Sequence, residues 1–138
     1  KWAGILLLFC LFNACAGSKK VNFKNPKSVS LTFYKALATN DYERAKEMGT
    51  TETKAVISLL QNLNDLLTEE EQEKAREANM GNLKLLKKTI CTIKEAASGD
   101  TAECQICCDE TGATSSRVVY LKKENDKWLI HITKESLE

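Results

Sequence analysis

The sequence is short of the residues on which several classes of protein depend. Its 138 residues include one proline, six glycines and one histidine. This composition excludes collagen-like and linker-rich chains, and a single histidine removes most chemistry based on imidazole pairs. Basic residues number 20 and acidic residues 19, with no basic stripe along the chain. Because phosphate contacts need clustered Lys or Arg, we do not expect the protein to bind nucleic acid.

The sequence also lacks an apolar run long enough to cross a bilayer, which takes about 20 residues. Its longest run, residues 5–12, follows Lys1 and has the length of the hydrophobic region of a signal peptide. Ala14 and Cys15 come next and resemble a bacterial lipoprotein box, in which the cysteine is lipidated and becomes the mature N-terminus. Phe12 and Asn13 depart from the usual box, so ordinary cleavage near Ala14 or Ala16 is the alternative.

We therefore predict three segments in the chain. Residues 1–15 are a lipoprotein signal peptide with Cys15 as the acyl acceptor, residues 16–24 are a tether, and residues 25–138 are a single domain. The protein would then lie in the envelope of a Gram-negative bacterium, held to a membrane by its lipid anchor. Several buried acyl chains make such an anchor stable.

The first half of the domain shows the signals of helices. Asn25 followed by Pro26 is typical of a helix start. Asn40 with Glu43, and Thr68 with Glu71, have the spacing of capping boxes. Thr50 or Thr51 would cap a third helix with one apolar stripe, and residues 79–82 are predicted to interrupt the last helix. The stripe consists of Ala55, Val56, Leu59, Leu60, Leu63, Leu66 and Leu67.

The second half shows the signals of strands. Residues 88–94, 102–108, 117–122 and 128–133 are rich in β-branched or alternating apolar residues, and turn residues separate them. Loops of two to eight residues favour antiparallel neighbours, because parallel strands need a longer crossover. Helices followed by such strands predict an α+β fold with the helices on one face of one sheet.

These pieces, in this order, resemble a family of secreted bacterial lipoproteins of unknown function. Their domain has the nuclear-transport-factor-like fold, also described as cystatin-like, ketosteroid-isomerase-like or lumazine-binding-like. The resemblance lies in residues 26–48, 98–102 and 119–128, and it implies N-terminal helices on one face of a curved, mainly antiparallel four-stranded sheet that encloses a cone-shaped cavity. The residues that would line this cavity are Phe33, Tyr34, Cys104, Ile106, Trp128 and Ile130.

The second predicted strand carries a Cys-x-x-Cys pair, Cys104 and Cys107, followed by Cys108. Positions three apart on a strand point to opposite faces and lie about 10 Å apart, so these thiols cannot converge on one metal ion. We therefore predict no metal site. Two interpretations stay open: small apolar core residues, or a disulfide from Cys91 to Cys104 or to Cys107.

Alternation along the last two strands predicts an unusually apolar outer face for the sheet. If Trp128, Ile130 and Ile132 point inward, the outer face carries Cys107, Val118, Tyr120, Leu129 and His131. Such a surface predicts a homodimer or a docked envelope protein with Tyr120 near the centre, unless the N-terminal segment or residues 109–116 cover it.

We therefore expect a non-enzymatic domain that binds a small or peptide ligand, or an envelope partner, without a cofactor. The alternative is a small isomerase or hydrolase of the ketosteroid-isomerase-like fold. That alternative needs a carboxylate base and an acid donor facing the same cavity. The strands carry few carboxylates, and a lone histidine such as His131 is more typical of a structural or solvated residue.

Overall fold

The computed structural model describes residues 20–85, 88–107 and 117–133. Four helices come first: α1 (Pro26–Ala38), α2 (Tyr42–Glu47), α3 (Thr51–Asp65) and α4 (Glu69–Leu85). Four strands follow: β1 (Lys88–Lys94), β2 (Thr101–Cys107), β3 (Arg117–Glu124) and β4 (Lys127–Ile130). The predicted α+β class is therefore confirmed. In the described ranges, no helix has both the length and the hydropathy to cross a membrane.

The helix starts follow capping chemistry, with one correction to the sequence-based prediction. Asn25 caps α1 by accepting from the amide of Lys27 at 3.0 Å, as predicted. The prediction that Asn40 caps α2 is wrong, because the side chain of Asp41 accepts from Arg44 instead, at 3.2 Å. Asn40 has a φ of 57° and forms the left-handed link between the two helices.

The interruption predicted at residues 79–82 is also wrong, since α4 continues through them to Leu85. A glycine in a helix costs about 1 kcal/mol relative to alanine, which is too little to end a helix by itself. The predicted capping box does begin α4: the amide of Thr68 donates to Glu71 at 2.8 Å, and the amide of Glu71 donates to the Thr68 hydroxyl at 3.3 Å.

The sheet is an antiparallel meander in the order β1-β2-β3-β4. A two-residue turn joins β3 to β4, and both of its residues have positive φ, 49° at Asn125 and 66° at Asp126. Asn and Asp tolerate this backbone, which matches the twist of a tight hairpin. β4 ends at Ile130, three residues earlier than predicted, and the amide of Ile132 bonds to Thr53 of α3 in place of a strand partner.

One hydrophobic core lies between α1 and the inner face of the sheet. Helix α1 contacts β1, β2 and β4, so it lies across the sheet. The core joins the buried face of α1 to alternate residues of three strands and to side chains from α2, from the segment after it and from α3. Its members are Val29, Phe33, Ala36, Ala45, Met48, Ile57, Ala102, Cys104, Ile106, Val119, Leu121, Trp128 and Ile130.

The outer edge of β4 is covered by two segments of the N-terminal half. The amide of Trp128 donates to the carbonyl of Phe23 at 2.8 Å, and that of Ile130 donates to Met48 at 2.8 Å. Gly49 pairs with Ile130 as a parallel bridge. A Cβ on Gly49 would lie 2.8 Å from Cγ2 of Thr53, so a glycine allows this close approach.

Candidate functional site

The six residues predicted to line a cavity come together in the core. Five are buried: Phe33, Cys104, Ile106, Trp128 and Ile130. Tyr34 is partly buried against the core and meets the ring of Phe33 edge-on, with centroids 5.9 Å apart. These side chains pack against one another, so the inner face supplies stability through burial.

Of the two disulfide partners considered for Cys91, the structure shows Cys104. Cys91 lies directly opposite Cys104 in the β1–β2 register, and a disulfide joins them. Cys107 ends β2, where its backbone pairs with Lys88. Over the residues that the structure describes, no group of three His, Cys, Asp or Glu side chains is placed to hold a metal ion.

A buried polar cluster lies where α3 begins beside the end of β4. It consists of Thr50, Thr53 and His131, and we call it the threonine cluster. Thr50 and Thr53 are fully buried, and the ring of His131 is mostly so. The Thr53 hydroxyl lies 2.7 Å from the carbonyl of Ile130 and 2.8 Å from the amide of Ile132. Sequence reasoning missed this cluster, because its members are separated by about 80 positions in the chain.

The hydrogen bonds of the threonine cluster form a chain in which each donor can be assigned. Thr53 donates its single hydroxyl hydrogen to Ile130, so its oxygen accepts from Thr50 at 3.0 Å. Thr50 therefore accepts from Nδ1 of His131 at 3.1 Å. This pattern places a hydrogen on Nδ1 of His131.

Glu52 lies at the rim of this cluster, with Oε2 4.0 Å from Nδ1 of His131. A hydrogen bond from its own backbone amide holds the pKa of the Glu52 carboxyl below its usual value, and the charges of His131 and Lys122 add to this effect. The carboxylate therefore stays ionised near neutral pH. Both hydroxyls and Nδ1 are engaged within the cluster, so its evident role is to hold β4 against α3.

The predicted outer face is built as the alternation indicated, and its apolar residues lie beside Glu103, Gln105 and Lys122. Val118 and Tyr120 are 42% and 50% exposed. Leu129 is partly buried and His131 is mostly buried on the same side of the sheet. The amide of His131 donates to the carbonyl of Tyr120 at 2.8 Å, which places these two residues side by side. The side chain of Cys107, which was also predicted for this face, lies outside the described residues.

The structure adds Ile90 to the outer face, where it is 62% exposed opposite Gln105. The sequence-based prediction omitted Ile90 because the register of β1 was not assigned. The signal was available, since a disulfide from Cys91 to Cys104 turns Cys91 inward and its neighbour outward.

The stripe on α3 forms a second apolar surface, which the sequence-based prediction did not identify as exposed. In the first turns of α3, the buried residues are Thr53, Val56 and Ile57. The leucines that follow, in the C-terminal half of α3 and just after its end at Asp65, are 41% to 82% exposed: Leu59, Leu60, Leu63, Leu66 and Leu67. We call these five residues the leucine stripe.

Comparisons with known proteins assign this chain no family and no function. No protein-family model matches the chain, and no curated protein matches it. Among solved structures, the chain is similar to a protein from Campylobacter jejuni described as a candidate NTF2-like transpeptidase. The two share 18% identity and a TM-score of 0.41, over 79% of this chain and 99% of the other. A likeness at this level assigns no activity.

Proposed function

We propose that this protein is a non-enzymatic binding domain, tethered to the bacterial envelope by lipid on Cys15, which docks a protein partner on the outer face of its sheet. The observation that carries the binding role is the exposure of Ile90, Val118 and Tyr120 on that face, where Gln105 separates Ile90 from Val118. One face of an antiparallel sheet is ordinarily solvated and polar. An exposed apolar patch on it is typical of a partner surface.

The inner face argues for binding over catalysis. An isomerase or hydrolase of this architecture needs polar groups that converge on a substrate cavity. The described side chains on the inner face of β2 are Ala102, Cys104 and Ile106, all buried, with Cys104 held in a disulfide. The polar groups of the threonine cluster bond to one another and to backbone groups at the β4 end.

The tether and location rest on the sequence and on one structural feature that agrees with them. Residues 1–19, which include Cys15, lie outside the described residues. The Cys91–Cys104 disulfide supports export, because disulfides persist in oxidising compartments such as the periplasm and the cell surface. A domain held at a membrane also meets its partners at a raised effective concentration.

The lipid anchor is tested by labelling. A precursor with an added initiating methionine is expressed in a Gram-negative host supplied with labelled palmitate, beside the Cys15→Ala variant. We expect label on the parent chain alone and a soluble periplasmic Cys15→Ala product. Equal labelling of both chains would contradict lipidation at Cys15, and Cys10→Ala serves as the matched control.

The docking face is tested by site-specific photo-crosslinking in the same host. A photoreactive phenylalanine analogue replaces Tyr120 in one variant and Glu70, an exposed residue of α4, in the control. We expect a discrete adduct from position 120 that Val118→Glu abolishes, and its mass distinguishes a second copy from another envelope protein. Equal adducts from both positions, or none from position 120, would contradict docking on this face.

A further inference from the structure

Strand β1 is the end strand of the described sheet, where it pairs with β2 along its whole length. The pairing is one-to-one over residues 88–94, so β1 carries no bulge, and it contains no proline. Within the part of the chain that the structure describes, no backbone hydrogen bond from another segment reaches its outer side. Bulges, prolines and covering segments are common protections of a sheet edge, and the described surroundings of β1 supply none of them.

The backbone bonds of β2 show which groups of β1 point outward. The amide of Lys123 donates to the carbonyl of Asp100 at 3.0 Å, in the same register that pairs Cys104 with Val119. Antiparallel partners alternate between hydrogen-bonded and non-hydrogen-bonded pairs, so Cys104, four positions after Asp100, also bonds to β3. Its pair with Cys91 is therefore a non-hydrogen-bonded one. The Cα separation of these two cysteines, 4.0 Å, agrees with this assignment.

It follows that the outer edge of β1 presents a regular row of backbone groups. Thr89, Cys91 and Ile93 direct their N–H and C=O groups away from β2, whereas Ile90 and Thr92 bond to it. The edge thus offers a donor and an acceptor at every second residue. An extended polypeptide is the ligand whose own backbone matches that spacing.

The opposite edge of the sheet shows how this protein satisfies such groups. The amides of Trp128 and Ile130 point outward from β4, and the carbonyls of Phe23 and Met48 accept from them, each at 2.8 Å. The N-terminal half of the chain therefore covers β4. The equivalent groups of β1 have no such cover among the described residues.

The side chains beside the β1 edge are exposed on both faces of the sheet. Ile90, on the outer face, is 62% exposed. Ile93 points to the inner face and is 51% exposed, although Ala102 directly opposite it is buried. A strand added beside β1 would cover both isoleucines, so the edge offers apolar contact as well as backbone bonds.

We propose that the outer edge of β1 is an acceptor site for an extended segment of another protein, which joins the sheet as a fifth strand. The backbone at residues 89, 91 and 93 bonds the segment, and its apolar side chains pack beside Ile90 and Ile93. An acidic side chain of the segment lies opposite Lys94, which is exposed. This site is separate from the docking of a partner on the outer sheet face and does not depend on it.

Charge favours a foreign segment over a second copy. Two copies that pair through β1 about a two-fold axis at Cys91 place Lys88 opposite Lys94 at both ends of the ladder. Like charges directly opposite each other destabilise a strand pair. A segment with an acidic residue at each end meets attraction at the same two positions. The partner strand is therefore an alternating apolar and polar sequence with acidic ends.

The site is tested with two end-blocked synthetic peptides, Glu-Val-Thr-Val-Thr-Val-Glu and its matched control Lys-Val-Thr-Val-Thr-Val-Lys. The chain is exported and purified with Cys15→Ala, and its amides are followed by NMR shifts and hydrogen exchange. We expect saturable binding of the acidic peptide below about 1 mM and weaker binding of the basic one. In the free chain, the amides of Cys91 and Ile93 exchange faster than those of Ile90 and Thr92. Saturating acidic peptide slows the first pair by about tenfold or more.

Two substitutions at position 93 separate backbone recognition from side-chain recognition. Ile93→Pro removes an amide that points away from β2, so we expect the fold to persist while peptide binding weakens by about tenfold or more. Ile93→Ala keeps this amide and is expected to weaken binding less. Lys94→Glu is expected to reverse the preference between the two peptides, and Tyr120→Glu to leave binding unchanged. Circular dichroism and a thermal melt check each variant, and if Ile93→Pro does not fold, the exchange pattern and Lys94→Glu decide.

Three outcomes would overturn the proposal. Slow exchange at Cys91 and Ile93 in the dilute free chain would show that another segment of the same chain covers the edge. Protection that appears when the chain is concentrated without peptide would make a second copy the occupant. Absence of peptide protection up to about 1 mM, or equal binding of both peptides, would remove the site. The photo-crosslink from position 120 tests the proposed function independently, so the two can fail separately.

Discussion

The hydroxyl of Thr53 donates to the carbonyl of Ile130 at 2.7 Å, although 77 residues separate them in the chain. The same oxygen accepts from the amide of Ile132 at 2.8 Å. One buried side chain thus satisfies two backbone groups of the C-terminal segment and joins it to the first turn of α3. The stability of the last strand therefore depends on a residue from the helical half of the protein.

Replacing Thr53 by valine keeps the shape and removes the hydroxyl. The carbonyl of Ile130, the amide of Ile132 and the hydroxyl of Thr50 each lose a partner, so we expect a loss of about 1–3 kcal/mol in the free energy of unfolding. Urea denaturation measures it. Thr53→Ser keeps the hydroxyl and is expected to lose less. A Thr53→Val protein as stable as the parent chain would show that the threonine cluster contributes nothing to stability.

Trp128 is 3% exposed and belongs to the core between α1 and the sheet. Trp128→Ala leaves a cavity as well as removing buried apolar surface, so we expect it to destabilise the fold by about 3–5 kcal/mol. Trp128→Phe retains a ring and is expected to cost less. Calorimetry or urea denaturation gives both values, and a loss under about 1 kcal/mol for Trp128→Ala would contradict its place in the core.

The Cys91–Cys104 disulfide closes a short loop, with a sequence separation of 13. In the chain-entropy description, a loop of this size stabilises a fold by about 3 kcal/mol. We expect the double variant Cys91→Ala, Cys104→Ala to lose stability on that scale, whereas Cys107→Ser loses little. Fragment mass spectrometry of the oxidised protein identifies the pairing, and a Cys91–Cys107 link would contradict it.

The capping box of α4 is expected to depend on pH. Hydrogen bonds from the amide and then the hydroxyl of Thr68 lower the pKa of Glu71 below its ordinary value of 4.5. The ionised form is therefore favoured in the folded state. Its contribution is complete above pH 4.5 and is lost as the pH falls through the lowered value.

Glu71→Gln isolates this effect, because glutamine still accepts from Thr68 but does not titrate. Helix content followed by circular dichroism from pH 6 to pH 2 is expected to fall more steeply for the parent chain than for Glu71→Gln. Superimposable profiles would show that the ionisation of Glu71 does not stabilise α4.

Local patterns predicted most of the fold because they carry its determinants. Pro26 after Asn25, the Thr68–Glu71 pair and the alternation around Trp128 each specify backbone geometry within a few residues. The wrong prediction at Asn40 arose because Asn40 and Asp41 are both good caps, and only the left-handed turn at Asn40 decides between them. The predicted break in α4 was wrong because one glycine costs less helix stability than the surrounding helix-forming residues contribute.

Surfaces were harder to predict than elements. The period of the α3 stripe indicates a helix with one apolar face, but it does not say how far along the helix the domain reaches. Val56 is buried, whereas Leu63, two turns later, is exposed. The threonine cluster was beyond prediction for a related reason: nothing local to Thr50 or His131 signals that the chain brings them together.

The covered edge of β4 limits how molecules of this protein can assemble by strand addition. An endless ladder of sheets needs two free edges on every molecule, one to donate and one to receive. Here Phe23, Met48 and Gly49 occupy one of the two. When two copies join through their β1 edges, each copy has only its covered β4 edge left to offer a third copy. Edge-to-edge growth therefore stops at a closed pair. The segment that positions α3 thereby also terminates polymerisation through the sheet.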